Sequence, residues 1–164
     1  IGQGILALTA ARAAQERQKL ADIVKLVKDI RKRLHVFITL NTVDYLVRGG
    51  RASRLSGLLA GLLKIRPILT LREGELTLLK KPRGRQASKS KLMDLAKQHL
   101  SLKGSRTEVL AVGHVDCEAE ARGLIADLIS QTTYPEEKIL LVETGMALAT
   151  HGGPGTLGIA VVSS

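Results

Sequence analysis

Residues 108–142 decide the fold class, and their sequence is EVLAVGHVDCEAEARGLIADLISQTTYPEEKILLV. Strand-forming residues run from Glu108 to Val115 and again from Lys138 to Val142. Between these runs, Asp116 is a suitable N-cap residue, and the buried stripe of a helix follows at Ala121, Leu124, Ile125 and Leu128. A strand, a helix and a strand in this order predict two parallel strands joined by a right-handed crossover.

Upstream of this unit, the sequence predicts two opening helices and a buried strand. Gly4–Glu16 is rich in alanine, and apolar residues recur at steps of three and four through Leu20–Leu34. His35–Leu40 is rich in β-branched and aromatic residues. A short helix that carries Tyr45 is expected next, and Gly49-Gly50 is expected to end it at positive φ.

The middle of the chain predicts a β-hairpin with a helix on either side. Ser53 is expected to cap an apolar helix over Leu55–Lys64. Two short strands, Ile68–Leu71 and Leu76–Leu79, flank the turn signal Glu73-Gly74. The remaining predicted elements are a basic loop at Lys80–Arg85, a helix at Gln86–Leu102, a loop at His151–Gly155 and a final strand at Leu157–Val162.

Together these elements predict one α/β layered domain of 164 residues. Its sheet is expected to be mixed and mainly parallel, with five or six strands that include one β-hairpin, and with helices packed on it. The sequence is 45% hydrophobic, which at this length is enough to build a single core.

Positive charge is concentrated in the first two-thirds of the sequence. Residues 1–106 hold 23 Lys and Arg against 7 Asp and Glu, which gives +16, whereas residues 107–164 hold 2 against 8, which gives −6; the sum is the net charge of +10. A basic segment of this kind attracts phosphate, nucleic acid, anionic lipid or an acidic protein, and a solvated basic face is the plain alternative. Aromatic residues make up only 2%, which disfavours a stacking platform for single-stranded nucleic acid. A nucleic-acid-binding protein is therefore kept as the alternative function.

Cysteine content and apolar runs limit the class of protein further. Cys117 is the single cysteine, which rules out an internal disulfide and a cysteine-based metal cage. We therefore expect a reducing, cytoplasmic setting, no metal and no cofactor. The longest apolar run, Leu55–Leu63, is interrupted by Ser56 and two glycines and is much shorter than the roughly 20 residues that a membrane span needs, so no transmembrane segment is expected.

Three short strings place basic side chains beside glycines: Arg48-Gly49-Gly50-Arg51, Arg83-Gly84-Arg85 and His151-Gly152-Gly153-Pro154-Gly155. In the arginine strings, a turning backbone between guanidinium groups suits an anion, and a helix C-cap with solvated arginines is the alternative. The histidine string favours a functional role for His151, because a loop of glycine and proline supplies few side chains to pack against the ring. The string Gly153–Gly158 also spells G-x-G-x-x-G, but no helix or acidic residue follows it, so it does not predict a dinucleotide site.

These strings, together with Asp44-Tyr45-Leu46-Val47, Ile65-Arg66-Pro67-Ile68-Leu69 and Thr156-Leu157-Gly158, resemble the C-terminal lobe of the DegV family of bacterial fatty acid-binding proteins. Their order and spacing fit that family across nearly the whole chain. The resemblance implies a protein of two α/β lobes that hold one long-chain fatty acid in a tunnel between them.

Residues 1–164 are then expected to be the C-terminal lobe, with the family's N-terminal lobe, whose Ser and Thr hydroxyls bind the carboxylate, absent from this chain. The resemblance also implies a partner, a fatty acid kinase, to which the bound carboxylate is presented. The protein itself is expected to be a lipid-binding module without catalysis of its own.

By position, the resemblance places six residues around the head group of the lipid or on the partner-facing surface: Arg51, Arg83, Arg85, His151, Gly152 and Gly153. Gly152 departs from the family, which more often carries Thr or Val there. The apolar helix is a possible tunnel lining through Leu55, Leu58, Leu59 and Leu62, with a plain core role as the alternative.

Overall fold

The computed structural model describes residues 1–50, 65–72, 74–100, 109–132 and 134–163. Its helices are Gly2–Gln15 (α1), Leu20–Arg33 (α2), Asp44–Arg48 (α3), Arg85–His99 (α4), Glu118–Gln131 (α5) and Met146–Gly152 (α6), with a 3-10 turn at Glu136–Lys138. Its strands are Leu34–Thr39 (β1), Ile68–Arg72 (β2), Glu75–Lys80 (β3), Val109–His114 (β4), Ile139–Glu143 (β5) and Leu157–Val162 (β6).

Within the described residues, the strands form a mixed six-stranded sheet in the order β3-β2-β1-β6-β4-β5. The α/β class, the hairpin and the parallel pair β4–β5 are confirmed. The expectation of a mainly parallel sheet is wrong, since every other pair of neighbouring strands described is antiparallel. The physical reason is that β6 inserts between β1 and β4 and runs opposite to both, a non-local pairing that the order of elements in the sequence does not reveal.

Helices cover both faces of the sheet. On one face, α1 and α2 pack on Val36, Ala111, Ala160 and Val162 through Ile5 and Ile30. On the same face, α3 contributes Leu46 to a smaller cluster with Leu40, Val43 and Leu69. On the other face, α4 and α5 pack on Phe37, Ile68, Leu110, Val112, Leu157, Ile159 and Val161. The alternation of side chains along each strand separates these clusters and produces a three-layer domain.

Several local predictions are corrected by one or two residues. Cys117, not Asp116, is the N-cap of α5, because Asp116 takes a left-handed φ of 48° and the helix begins after it. Gly50 has the expected positive φ of 68°, whereas Gly49 has a φ of −78°. Arg85 is the first residue of α4 rather than part of a loop.

The predicted loop at His151–Gly155 is wrong in its first two residues. His151 and Gly152 form the end of α6, since the preceding sequence Met146-Ala147-Leu148-Ala149 consists of strong helix formers. The turn begins only at Gly153, which has a φ of 76°. The histidine is therefore held by a helix.

The register of the sheet brings one end of every strand to a common edge, here called the site end. There β1, β3, β4 and β5 finish, at Thr39, Lys80, His114 and Glu143, and β2 and β6 begin, at Ile68 and Leu157. The described residues of the three basic and glycine-containing strings, 48–50, 83–85 and 151–155, follow or precede these strand ends. The fold thus gathers at one edge residues that are far apart in the sequence.

Candidate functional site

At the site end, the turn after α6 is tied to the end of β4 by backbone hydrogen bonds. The amide of Gly155 donates to the carbonyl of Val115 at 2.8 Å, and the amide of Val115 donates to the carbonyl of Thr156 at 3.0 Å. The thiol of Cys117 lies 3.4 Å from the same Thr156 carbonyl, and burial raises the pKa of this thiol above its ordinary value. These bonds fix the position of the turn, and with it the end of α6.

The ring of Tyr45 in α3 packs against the backbone of Gly153. A Cβ atom at position 153 would overlap Cδ2 of Tyr45, so only glycine permits this contact. The positive φ of Gly153 is a second reason for glycine at this position. Since Gly153 is the C-cap of α6, the contact anchors α6 to α3.

His151 lies against the other end of α3. A Cβ atom at position 49 would lie 2.7 Å from its Nδ1 atom, so the imidazole fills the space that the absent side chain of Gly49 leaves. The Nδ1 atom is buried and has no hydrogen-bond partner among the described residues. A buried N–H without an acceptor is costly, so the neutral ring favours the tautomer with its proton on Nε2. Nε2 is then the ring nitrogen that can donate a hydrogen bond to a ligand.

Position 152 carries glycine where the resemblance implies Thr or Val more often, and this difference has a steric explanation. A Cβ atom at position 152 would lie 2.7 Å from Oγ1 of Thr156. That hydroxyl donates to the carbonyl of Gly153 at 2.8 Å and so braces the turn from inside. In this chain, the side chain of Thr156 occupies the space that Thr or Val at position 152 would need.

The two helices that hold His151 also carry exposed apolar side chains. On α6, Met146 is 80% exposed and Leu148 is 53% exposed, and on α3, Val47 is 47% exposed. Of these side chains, Leu148 lies three residues before His151 and so on the same side of α6 as the ring, whereas Met146 lies further round that helix. A polar ring nitrogen and exposed apolar side chains are the combination that a ligand with one polar head and one apolar tail requires. We call Val47, Met146, Leu148 and His151 the α3–α6 surface.

The structure does not bring Arg85 to this surface. Arg85 lies at the start of α4, on the opposite face of the sheet from α3, and its Nε and Nη2 atoms donate to Glu120 of α5 at 2.9 Å and 3.2 Å. The hydrogen bond from Arg85 is the main cause that lowers the pKa of Glu120, and Lys89 adds to it from 3.5 Å. This arginine joins two helices through Nε and Nη2, whereas its buried Nη1 atom has no hydrogen-bond partner among the described residues.

Arg83 is exposed at the site end. Its backbone forms an isolated bridge with Ile65, and the amide of Arg66 donates to the carbonyl of Pro82 at 2.9 Å. Among the described residues, its guanidinium has no ion-pair partner. Arg83, unlike Arg85, is therefore available to an anion or an acidic surface.

Five of the candidate residues, together with the predicted Ser53 cap, lie outside the described residues: Arg51, Leu55, Leu58, Leu59 and Leu62. Their assignment to the head group or to the tunnel lining stays a prediction.

Sequence reasoning missed several residues of the site. Tyr45 was used only as part of a motif, although it fixes Gly153, and Met146 and Leu148 were not recognised as exposed. His114, at the end of β4, is only 4% exposed and its Nδ1 atom has no partner among the described residues, but it alternates with Leu110 and Val112 onto the α4–α5 face and so is not part of the α3–α6 surface.

The described part of the chain contains neither a group of three or more His, Cys, Asp or Glu residues able to hold a metal ion nor a helix long and apolar enough to cross a membrane.

Comparison with known proteins identifies relatives over the whole length of this chain. Residues 1–164 match the profile of a family described as "Uncharacterised protein, DegV family". A DegV domain-containing protein of Caldanaerobacter subterraneus is 31% identical over 159 residues, which are 97% of this chain and 55% of that protein. The chain thus spans about half the length of the curated relatives that it matches.

Solved structures give the same result for the fold. A DegV family protein from Thermus thermophilus, described by its fatty acid binding, has a TM-score of 0.81 and 28% identity, and the match covers 99% of this chain and 57% of that one. DegV from Bacillus subtilis, described as a fatty acid binding protein, has a TM-score of 0.79 with the same identity and coverage. Because the family profile matches from the first residue to the last and the folds agree, this chain belongs to the DegV family.

Proposed function

We propose that this chain is the C-terminal lobe of a two-lobe protein and forms one wall of a tunnel for a long-chain fatty acid. In this proposal the N-terminal lobe supplies the hydroxyls that bind the carboxylate, and a separate fatty acid kinase acts on the bound lipid. The chain itself binds and presents the lipid in the cytoplasm without catalysing a reaction.

The observation that carries the proposal is the α3–α6 surface. Three large apolar side chains on α3 and α6, the two helices that hold His151, are about half exposed or more, and the buried Nδ1 of that histidine has no partner among the described residues. An acyl chain would cover the apolar side chains, and a carboxylate or acyl phosphate would accept a hydrogen bond from Nε2 of His151. The solved structures that support this function are those at 28% identity, both described by fatty acid binding.

The energetics assign different roles to the tail and the head. Burial of roughly 14 methylenes at about 0.8 kcal/mol each gives an upper limit near 11 kcal/mol. The acyl chain therefore supplies most of the affinity, whereas His151 orients the head group. We expect His151→Ala to leave the affinity for fatty acid within about tenfold, or roughly 1.4 kcal/mol. Kinase-dependent turnover should fall much further.

Native mass spectrometry of the two-lobe protein tests the ligand directly, because a tightly held fatty acid survives purification. Met146→Ser combined with Leu148→Ser should weaken binding by about tenfold or more. Leu71→Ser is the matched control, since Leu71 is 48% exposed but lies on β2, away from the site end. Equal loss of binding in the double variant and the control would contradict the proposal.

For the kinase, the exposed Arg48 and Arg83 are the docking residues that we propose among those described. Arg83→Glu should slow acyl phosphate formation at low salt, because rim charges act mainly on the association rate. Arg72→Glu is the control, since Arg72 is exposed at the opposite end of the same hairpin. If both variants behave like the unmodified protein, the docking proposal is wrong.

The alternative of nucleic-acid binding finds no support in the relatives compared above. It would require binding to duplex DNA that falls steeply with salt.

A further inference from the structure

The exposed face of α2 carries apolar side chains that have no role in the site described above. Leu20 is 77% exposed, and Val24, one turn further along the helix, is 44% exposed. The side of α2 that packs adjoins this face: Ile30, which is buried, and Leu26, which lies partly buried against the sheet, are about 80° and 120° from Leu20 around the helix axis. The fold therefore uses one face of α2 and leaves the other apolar at its start.

Basic residues continue the stripe that Leu20 and Val24 begin. At about 100° per residue, Lys28 and Arg31 lie within about 80° of Leu20 around the helix axis. Lys25 and Lys32 lie on the adjoining stripe, and all four basic side chains are exposed. None of the four has an ion-pair partner among the residues that the structure describes.

The acidic residues of α2 lie on the other flank of the exposed face. Asp22 and Asp29 are about 160° or more from Leu20 around the axis. Asp29 is also paired with Arg33 at 2.8 Å. A flat, negatively charged surface can therefore contact Leu20, Val24, Lys28 and Arg31 without burying a carboxylate.

Three occupants fit an apolar and basic helix face to different degrees. A second copy of this chain packed by the same face would bring the basic residues of both copies, two from each helix, into one interface without a carboxylate to pair them, and like charges would oppose the contact. Duplex nucleic acid would pair with the lysines but would leave Leu20 in water. An anionic lipid bilayer fits both the basic and the apolar residues of this face, since its phosphates attract the basic residues and its acyl region takes up the apolar ones.

We propose that the face of α2 formed by Leu20, Val24, Lys28 and Arg31 docks on the surface of an anionic lipid bilayer. Leu20 and Val24 enter the boundary between head groups and acyl chains, and Lys28 and Arg31 lie at the level of the phosphates. This inference concerns a different surface from the α3–α6 surface and does not depend on the proposed binding of fatty acid.

Sedimentation of the 164-residue chain with lipid vesicles tests the proposal. We expect binding to vesicles of phosphatidylcholine with phosphatidylglycerol, weak binding to phosphatidylcholine alone, and weakening by salt. Lys28→Glu with Arg31→Glu should lower the binding constant by about tenfold or more. Leu20→Ser with Val24→Ser should lower it several-fold.

Lys138→Glu is the matched control, because Lys138 is an exposed lysine on the 3-10 turn, and it should bind as the unmodified chain does. All variants change exposed residues, and circular dichroism verifies that they fold. Absence of binding to the anionic vesicles would overturn the proposal, and so would binding that the α2 variants leave unchanged. Two other results would also overturn it: duplex DNA bound as tightly as the vesicles with Leu20→Ser having no effect, or a dimer that dissociates on Leu20→Ser.

Discussion

The Tyr45 ring lies so close to the Gly153 backbone that position 153 accepts no side chain. The amide and carbonyl groups on either side of this contact are held as well, since the amide of Gly153 donates to the carbonyl of Ala149 at 2.8 Å and its carbonyl accepts from Thr156. A substitution there must move either the ring or the turn. Both movements would shift His151, two residues earlier.

Gly153→Ala is therefore expected to destabilise the chain by about 2 to 4 kcal/mol, through backbone strain at positive φ and collision with Tyr45. Gly123→Ala is the matched control, because Gly123 is exposed on α5 with open space around its Cα atom. Alanine there should stabilise the helix by about 0.5 to 1 kcal/mol. Urea unfolding of both variants measures the contrast, and similar behaviour would contradict the packing described.

At this scale the sequence singles out the glycines and His151 but not the residues that they contact. The glycines and His151 stand out in a short string, because glycine and proline mark turns and loops. Their partners, Tyr45 and Gly49, come from another element, and no local pattern connects residues so far apart in the sequence. The same limit explains Arg85, whose pairing with Glu120 depends on how α4 and α5 pack.

Among the elements, α4 and α5 are joined by the ion pair of Arg85 and Glu120 over the face of the sheet. Lowering the pKa of a carboxyl group means that the folded chain favours its charged form. The contribution to stability is therefore present above the ordinary pKa of 4.5 and disappears as the pH falls through the lowered value. Since Glu120 is more than a third exposed, solvent screening reduces this contribution.

We expect Glu120→Gln to lower the free energy of unfolding by about 0.5 to 1 kcal/mol at neutral pH. The difference from the unmodified chain should shrink as the pH falls below 4.5, where Glu120 is protonated in the unfolded chain. Glu118→Gln is the control, since Glu118 pairs with Arg122 on the exposed side of α5, and it should cost only about 0.2 to 0.5 kcal/mol. A pH-independent loss in Glu120→Gln would contradict the electrostatic explanation.

The end of α4 is joined to the start of β1 by two stacked imidazoles. The ring centroids of His35 and His99 are 3.7 Å apart, and Phe37 stacks on His99 at 5.6 Å. Burial lowers the pKa of both histidines, and the charge of His99 lowers that of His35 further. The folded chain therefore resists protonation more than the unfolded chain does.

Stability should then fall as the pH drops below 6.5, the ordinary pKa of these groups, because the unfolded chain takes up protons first. His99→Gln removes one of the two titrating groups and also removes the charge of His99 that lowers the pKa of His35. The loss of stability between neutral and mildly acidic pH should therefore become smaller. Thermal unfolding across this pH range measures the effect. An unchanged profile in His99→Gln would show that the pair does not couple folding to pH.

The success of element prediction followed the strength of local signals. Long periodic segments such as α2 and α5 were predicted to within a few residues, and the turn signal before Leu76 located the hairpin. The seven residues of α6 are too few to show a period, and the glycines after them suggested a loop instead. The place of β6 in the sheet is set by packing with β1 and β4, which adjacent sequence does not encode.

For the molecule as a whole, the described helices and strands build a core on both faces of one sheet. The apolar residues of the α3–α6 surface, by contrast, are not packed into this core and are open to water. The relatives are nearly twice as long as this chain, which agrees with the proposal that a second lobe completes the site.

We therefore expect the chain to unfold cooperatively by itself but to bind fatty acid much more weakly than the two-lobe protein. Under the proposal, the chain by itself lacks half of the tunnel and the carboxylate-binding hydroxyls, so only part of the acyl chain leaves water. Isothermal titration calorimetry of the two proteins with the same fatty acid makes the comparison. Equal affinities would place the entire site within residues 1–164.

The position of β6 between β1 and β4 also has a consequence for biosynthesis. Of the strands described, β6 is the one that connects the β3-β2-β1 half of the sheet to the β4-β5 half. Residues 157–162 are the last of these strands to be synthesised, so until β6 pairs, the strands β1 and β4 each keep one unpaired, apolar edge. Unpaired edges of this kind can join to other chains, so the interval before β6 pairs is the one in which the newly made protein is most exposed to aggregation.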